Sequence, residues 1–223
     1  MNDFTMYVIV GVAVFIVGGI IYAKWHEYKR KQGLRKIAED LGLDYVEDGK
    51  HHLFNSLSDL SLFSGGRSRK CSKMICGETD EVTIGIFDYT YHSGRGDDKR
   101  SYTQSVIALQ SEQIKLPRFQ MRPQSSILDL LGSALGIQDI DFETHPEFSK
   151  MFLLQGNDEA AIREFFDADW LSFLERYKGF SLEGRNGALI FYCSNRQIRP
   201  SEIKDYLAKA YDIYGHIIER ANA

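Results

Sequence analysis

The stretch Met6-Tyr-Val-Ile-Val-Gly-Val-Ala-Val-Phe-Ile-Val-Gly-Gly-Ile-Ile-Tyr-Ala23 decides how the chain is organised. From Phe4 to Ala23 no residue is charged, and about 20 apolar residues at 1.5 Å rise cross a hydrocarbon core of roughly 30 Å. A helix apolar on every side has no reason to lie on a soluble surface. Its flanks are unequal: Asp3 precedes it, whereas Lys24, Lys29, Arg30, Lys31, Arg35 and Lys36 follow. The positive-inside rule then keeps the C-terminal flank in the cytosol and sends the short N-terminus across. The expectation is a single-pass membrane protein, held in the bilayer through residues 4–25, with those six bases as its membrane-surface contact.

Two other readings fit less well. A secretory signal peptide carries its bases before the apolar core and a small-residue cleavage site after it; here the bases lie on the other side, and Ala23-Lys24-Trp25 is no such site. A buried core helix is shorter and patterned. Tyr22, Trp25 and Tyr28 suit an interfacial aromatic belt. Gly11 and Gly18 share a face and Gly19 pairs with Ala23, a weak packing signal for a second span.

Charge separates along the chain. Residues 24–36 carry a formal +5, which leaves residues 37–223 at −8 within the chain's net −4. A basic collar with an acidic body suits an anionic inner leaflet and argues against a nucleic-acid partner. Cys71, Cys76 and Cys193 are an odd number in no paired motif, as expected of a reducing compartment.

Beyond the span the pattern predicts an α+β fold, an antiparallel sheet with packed helices. Residues 1–25 form the anchor, 26–42 a basic juxtamembrane and amphipathic helix, and 43–223 a single cytosolic domain. Leu34, Ile37, Ala38 and Leu41 recur at helical spacing, Gly33 is a joint, and Gly42 a stop. Strands are expected at 43–46, 70–77, 82–91, 102–109 and 151–155. A further strand at 116–121 is placed at a sheet edge by Pro117 and Pro123. In Val82–Tyr91 both faces are apolar, Val82, Ile84 and Ile86 against Phe87, Tyr89 and Tyr91, which marks a central strand covered on both sides. A short helix is expected over 126–135, and another capped by Asn157. One capped by Asp167 or Asp169 follows, then a hairpin turning at Asn186-Gly187, and a last helix opened by Pro200.

Phe87-Asp-Tyr-Thr-Tyr91, Leu116-Pro-Arg-Phe119, Asp139-Ile-Asp-Phe142, His145-Pro-Glu-Phe-Ser149 and Leu182-Glu-Gly184 together resemble an uncharacterised family of bacterial proteins with one N-terminal span. The resemblance implies an inner-membrane setting and a cytosolic α+β domain, and supplies no catalytic residues.

In Asp139-Ile-Asp-Phe-Glu-Thr-His-Pro-Glu147 every odd position is acidic or histidine. If extended, Asp139, Asp141, Glu143 and His145 share one face, and such a set could hold a divalent cation and serve a membrane-tethered hydrolase. The simpler reading is a solvated loop anchored by Ile140 and Phe142. Asp88 and His92 are about 13 Å apart along a strand, beyond a catalytic hydrogen bond. The loop 94–100 lacks the context of a phosphate-binding turn. Gly66-Arg-Ser-Arg-Lys-Cys-Ser-Lys73, the one basic cluster on the body, touches anionic lipid if it faces the membrane; the simpler reading is a solvated loop. A third alternative is a lipid- or ligand-sensing module whose aromatic strand lines a pocket. With no complete catalytic set and no cofactor fingerprint, the sequence favours a non-enzymatic interaction domain with a protein partner.

Overall fold

Gly42, at φ +67°, ends a helix of 39 residues that runs without a break from Asp3 to Leu41 (α1). The computed structural model describes residues 3–94, 99–124 and 139–221. Among these, α1 is the one helix long and apolar enough to cross a membrane. Its glycines would weaken it in water by about 1 kcal/mol each. In lipid the backbone has no other partner, and the helix is the one local solution.

The remaining chain is an α+β domain on one eight-stranded antiparallel sheet. After β1 (Asp44–Val46) come two short helices, α2 (His52–Ser56) and α3 (Ser61–Ser64). A meander follows, β2 (Arg67–Glu78), β3 (Thr83–Ser93) and β4 (Arg100–Gln110), and then β5 (Phe119–Pro123). Next are α4 (Pro146–Met151), β6 (Phe152–Gly156), α5 (Glu159–Phe165) and α6 (Ala168–Leu174). The hairpin β7 (Ser181–Arg185) and β8 (Ala188–Tyr192) leads through a 3₁₀ turn, Pro200–Glu202, into α7 (Ile203–Ala221). The order across the sheet is β1-β2-β3-β4-β8-β7-β5-β6.

The two-residue period of β3 divides the core. Ile84 and Ile86 face a layer made by the end of α1 with α5, α6 and α7, where Leu34, Ala38, Trp170, Leu207 and Ile213 are buried. Phe87, Tyr89 and Tyr91 face the other way, beneath Leu53, Leu57 and Phe63 of the α2–α3 segment. Both faces are covered, as the apolar alternation requires.

Several boundaries differ from expectation. Gly33 is no joint: α1 passes through it, and it lies against Pro200, where a Cβ would come 2.8 Å from the ring. The strand at 116–121 is internal, between β7 and β6. Pro123 is tolerated because it pairs only with Phe152, beyond the last β7 pair, Met121 with Leu182. The basic residues of the segment 66–73 lie in strand β2, from Arg67 on, bent by register shifts and by positive φ at Ser68 and Lys73, and not in a loop. A helix turn, α4, with Pro146 in its first turn, precedes β6. Asp158, one residue after the expected cap, accepts from Ala161 N, while Asp167 caps α6 as expected. The helix expected at 126–135 and residues 95–98 of the loop at 94–100 lie outside the described residues.

Candidate functional site

A charged pair sits where α1 meets the sheet. Asp88 shares its sheet face with Ile84 and Ile86, a place where an unpaired carboxylate is costly. The side chain that meets it is Arg30, three turns from the end of α1. Arg30 Nε donates to Asp88 Oδ2 at 2.9 Å and its NH2 nitrogen to Oδ1 at 2.7 Å, a bidentate pair 7% and 3% exposed. The other guanidinium nitrogen donates to the Ile198 carbonyl at 2.7 Å, and NH2 also reaches Ser105 Oγ at 3.0 Å. Ser105 stands opposite Asp88 in the β3–β4 register, donates to Oδ1 at 2.8 Å and accepts from Ile198 N. Gln197 Nε2 donates to Oδ2 at 2.8 Å. Lys73 Nζ lies 3.6 Å from the same oxygen and 2.6 Å from Glu27 of α1.

One carboxylate thus ties the anchor helix to β3, β4 and the segment leading into α7. Its oxygens are filled by donors, so it is placed to hold and not to take a proton from a substrate. This corrects the lipid-facing assignment of Arg30, which lies inside the domain because Asp88 needs a buried cation. Lys31 and Arg35 pair with Glu47, at 2.6 and 3.5 Å. Lys29 lies over the Trp25 ring at 4.0 Å, and Lys24 and Lys36 are exposed. The sequence carries a signal for it: Asp88 is the one acid in β3 and lies between apolar and aromatic neighbours, Ile86, Phe87 and Tyr89.

Glu183 is a second buried carboxylate, on the opposite face. It accepts from Leu62 N at 3.2 Å, from Gln120 Nε2 at 2.8 Å and from the Tyr192 hydroxyl at 2.8 Å. Burial pushes its carboxyl above the usual glutamate range, and burial followed by the Glu183 charge pushes the Tyr192 phenol well up.

The acidic stripe does not assemble. Asp139 Oδ1 accepts from Leu154 N at 2.9 Å, and burial raises its carboxyl. Asp141 and Glu143 are exposed, and His145 contacts Thr144 and Ser172. Among the described residues no group of three or more His, Cys, Asp or Glu converges on a metal position. Ile140 and Phe142 are buried in the core as anchors. The three cysteines are free and buried; burial holds the Cys71 thiol at about 12 and raises Cys193. In the aromatic strand Phe87 packs against Phe54 and Phe63, and Tyr89 against Phe63. Two surface clefts of about 300 and 290 Å³ lie elsewhere, beside Phe165 and Arg220 and beside Phe180 and Tyr206.

No protein-family model matches the chain, and no curated protein matches it. Among solved structures it is similar to the mycobacterial trehalose monomycolate transport factor A, TtfA, with a TM-score of 0.60 at 10% identity. The match covers 84% of this chain and 93% of that one. At that identity the likeness is one of fold.

Proposed function

We propose that the chain is a membrane-anchored, non-enzymatic interaction module of the bacterial inner membrane, with its N-terminus outside and its domain in the cytosol. The observation that carries this is the Arg30–Asp88 clamp: the anchor is built into the core of the domain and presents it in one orientation. A domain that only needed to be near the membrane would be served by a flexible linker. A fixed mount suits a surface that must meet a partner embedded in the same bilayer. TtfA is named a transport factor, which supports an accessory role at a membrane, and nothing of its cargo is carried over.

The test has two arms. A reporter fused after Ala223 should read as cytosolic, on six bases after the span against none before it. Photo-crosslinkers on the exposed faces of the domain should give discrete adducts with an integral membrane protein in native membranes. The same adducts should weaken when a flexible linker is inserted after Ala23. An extracytoplasmic reporter, or adducts indifferent to the linker, would overturn the proposal.

A further inference from the structure

The face of the sheet that receives α1 changes character at Asp88. On one side of it the paired positions are apolar: Ile86 with Ile107, Ile84 with Leu109. On the other they are polar: Thr90 with Thr103, whose hydroxyls meet at 3.0 Å, then His92 with Ser101. In β2 the neighbours of Thr90 and His92 are Lys70 and Arg67. Both are exposed, and neither has an ion-pair partner among the described residues. Arg69, between them, is engaged by the Phe63 carbonyl.

Contacts fix which way this polar end points. Leu34 and Ala38 of α1 pack in the core with Ile75 of β2, while Glu27, earlier on the helix, meets Lys73, earlier on the strand. The helix therefore runs toward the bilayer in the same sense as β2 runs toward Arg67 and β3 toward His92. Asp88 and Arg30 mark one level. From there β3 continues four residues to His92, about 13 Å. The same rise along α1 is about nine residues, reaching Ile21. Even with the axes crossed at about 40° the rise is about 10 Å, reaching Ala23. The polar end of the sheet thus lies level with the end of the charge-free span.

We infer that this end of the sheet, with Arg67 and Lys70 as its charged contacts, rests on the anionic headgroups of the bilayer, so that the domain lies against the membrane instead of standing clear of it. The partner is the lipid surface, chosen by charge, by level and by continuity with the anchor. The inference rests on the proposed anchoring. It moves the membrane-surface contact from Arg30, Lys31 and Arg35, which the fold occupies, to side chains that it leaves free.

The test uses the full chain reconstituted in vesicles, with a fluorophore at Ser101→Cys or, at the opposite end of the β2–β3 hairpin, at Asp80→Cys. The vesicles are phosphatidylcholine alone or with a third of phosphatidylglycerol, and carry a headgroup quencher. The Ser101→Cys probe should be quenched in the anionic vesicles and the Asp80→Cys probe should not. Raising the salt to about 1 M, where the screening length is about 3 Å, should relieve the quenching. The Arg67→Ala, Lys70→Ala variant should shift the docked population about 25-fold, from about fivefold for each base. Equal quenching at both positions, or quenching at Ser101→Cys indifferent to lipid charge, salt and the double variant, overturns the inference. The salt and lipid series needs no mutation at the contact, so a folding defect in the double variant does not blunt it. If the quenching fails while the Ala223 reporter reads cytosolic, the anchor stands and the resting contact falls; an extracytoplasmic reporter removes both.

Discussion

Gly33 of the anchor helix and Pro200 of the turn before α7 touch so closely that a Cβ at position 33 would lie 2.8 Å from the proline Cγ and 2.9 Å from its Cβ. The helix needs no left-handed residue there; the glycine is small because the proline ring occupies the place of a side chain. Lys204, one turn further, reaches Asp40 at 3.3 Å, a second tie between α1 and the start of α7.

Enlarging residue 33 should therefore cost stability although it raises helix propensity. Gly33→Val is expected to lose about 1–3 kcal/mol by overpacking, read as a lower denaturation midpoint in detergent. Gly33→Ala recovers up to about 1 kcal/mol of helix propensity and should lose less. A Gly33→Val protein as stable as the parent would show that α1 and the turn separate freely.

Arg30 and Asp88 should be strongly coupled. Asp88→Ala leaves the buried Arg30 guanidinium without a counter-charge and should cost about 3–5 kcal/mol. Arg30→Met leaves Asp88 only Lys73, at 3.6 Å, as a cation and should cost somewhat less, whereas the double variant should lose much less than the sum. Additivity in that cycle would deny the clamp. The same pair moves the boundary of a soluble fragment: a chain starting at Leu34 lacks Arg30 and should aggregate or melt low, and one starting at Glu27 should fold.

Glu183 should make stability depend on pH with an unusual sign. Its folded carboxyl lies above the ordinary value of 4.5, so between that value and the raised one the folded state binds the extra proton. Its contribution is fully present below the unfolded value and is lost as pH rises through the folded one. Glu183→Gln should remove that component, so the stability difference between variant and parent should shift in favour of the variant as pH rises from about 4.5 toward neutrality. A pH-independent difference would mean that the carboxylate is matched by its Leu62, Gln120 and Tyr192 partners.

In the acidic stripe the apolar residues should matter most. Asp141→Ala with His145→Ala should change stability by no more than about 0.5 kcal/mol, and Ile140→Ala or Phe142→Ala should cost about 2–5 kcal/mol. Asp139→Ala should cost about 1–3 kcal/mol, because Leu154 N loses its acceptor. A divalent cation that raised the melting temperature of the parent and not of the Asp141→Ala, His145→Ala variant would restore the metal alternative.

Wherever periodicity and local chemistry act alone, the chain could be read directly. The alternation in β3 separated the two layers of the core, the Asn186-Gly187 turn placed β7 and β8, Asp167 capped α6, and the apolar run marked the anchor. What escaped depends on distant partners. Nothing near Pro123 tells that β7 and β6 flank its strand, since their segments come later in the chain. In the sequence Arg30 reads as one more base of the collar, because its partner is 58 residues away. On its own face of the strand Asp88 has only His92 as a titratable neighbour, whereas the residue that answers it lies on another element. Gly33 looked like a hinge because the proline that fills its missing side chain follows much later.

An unbroken α1 also gives the span a phase. With about 3.6 residues per turn, one residue inserted between Ala23 and Glu27 would turn the membrane segment by about 100° against the domain and lift it by about 1.5 Å. The azimuth at which Gly11 and Gly18 face their lipid or helical neighbours is thus geared to the azimuth of the sheet outside. Four residues inserted there come close to one full turn and restore the alignment, whereas two leave the span facing nearly the opposite way.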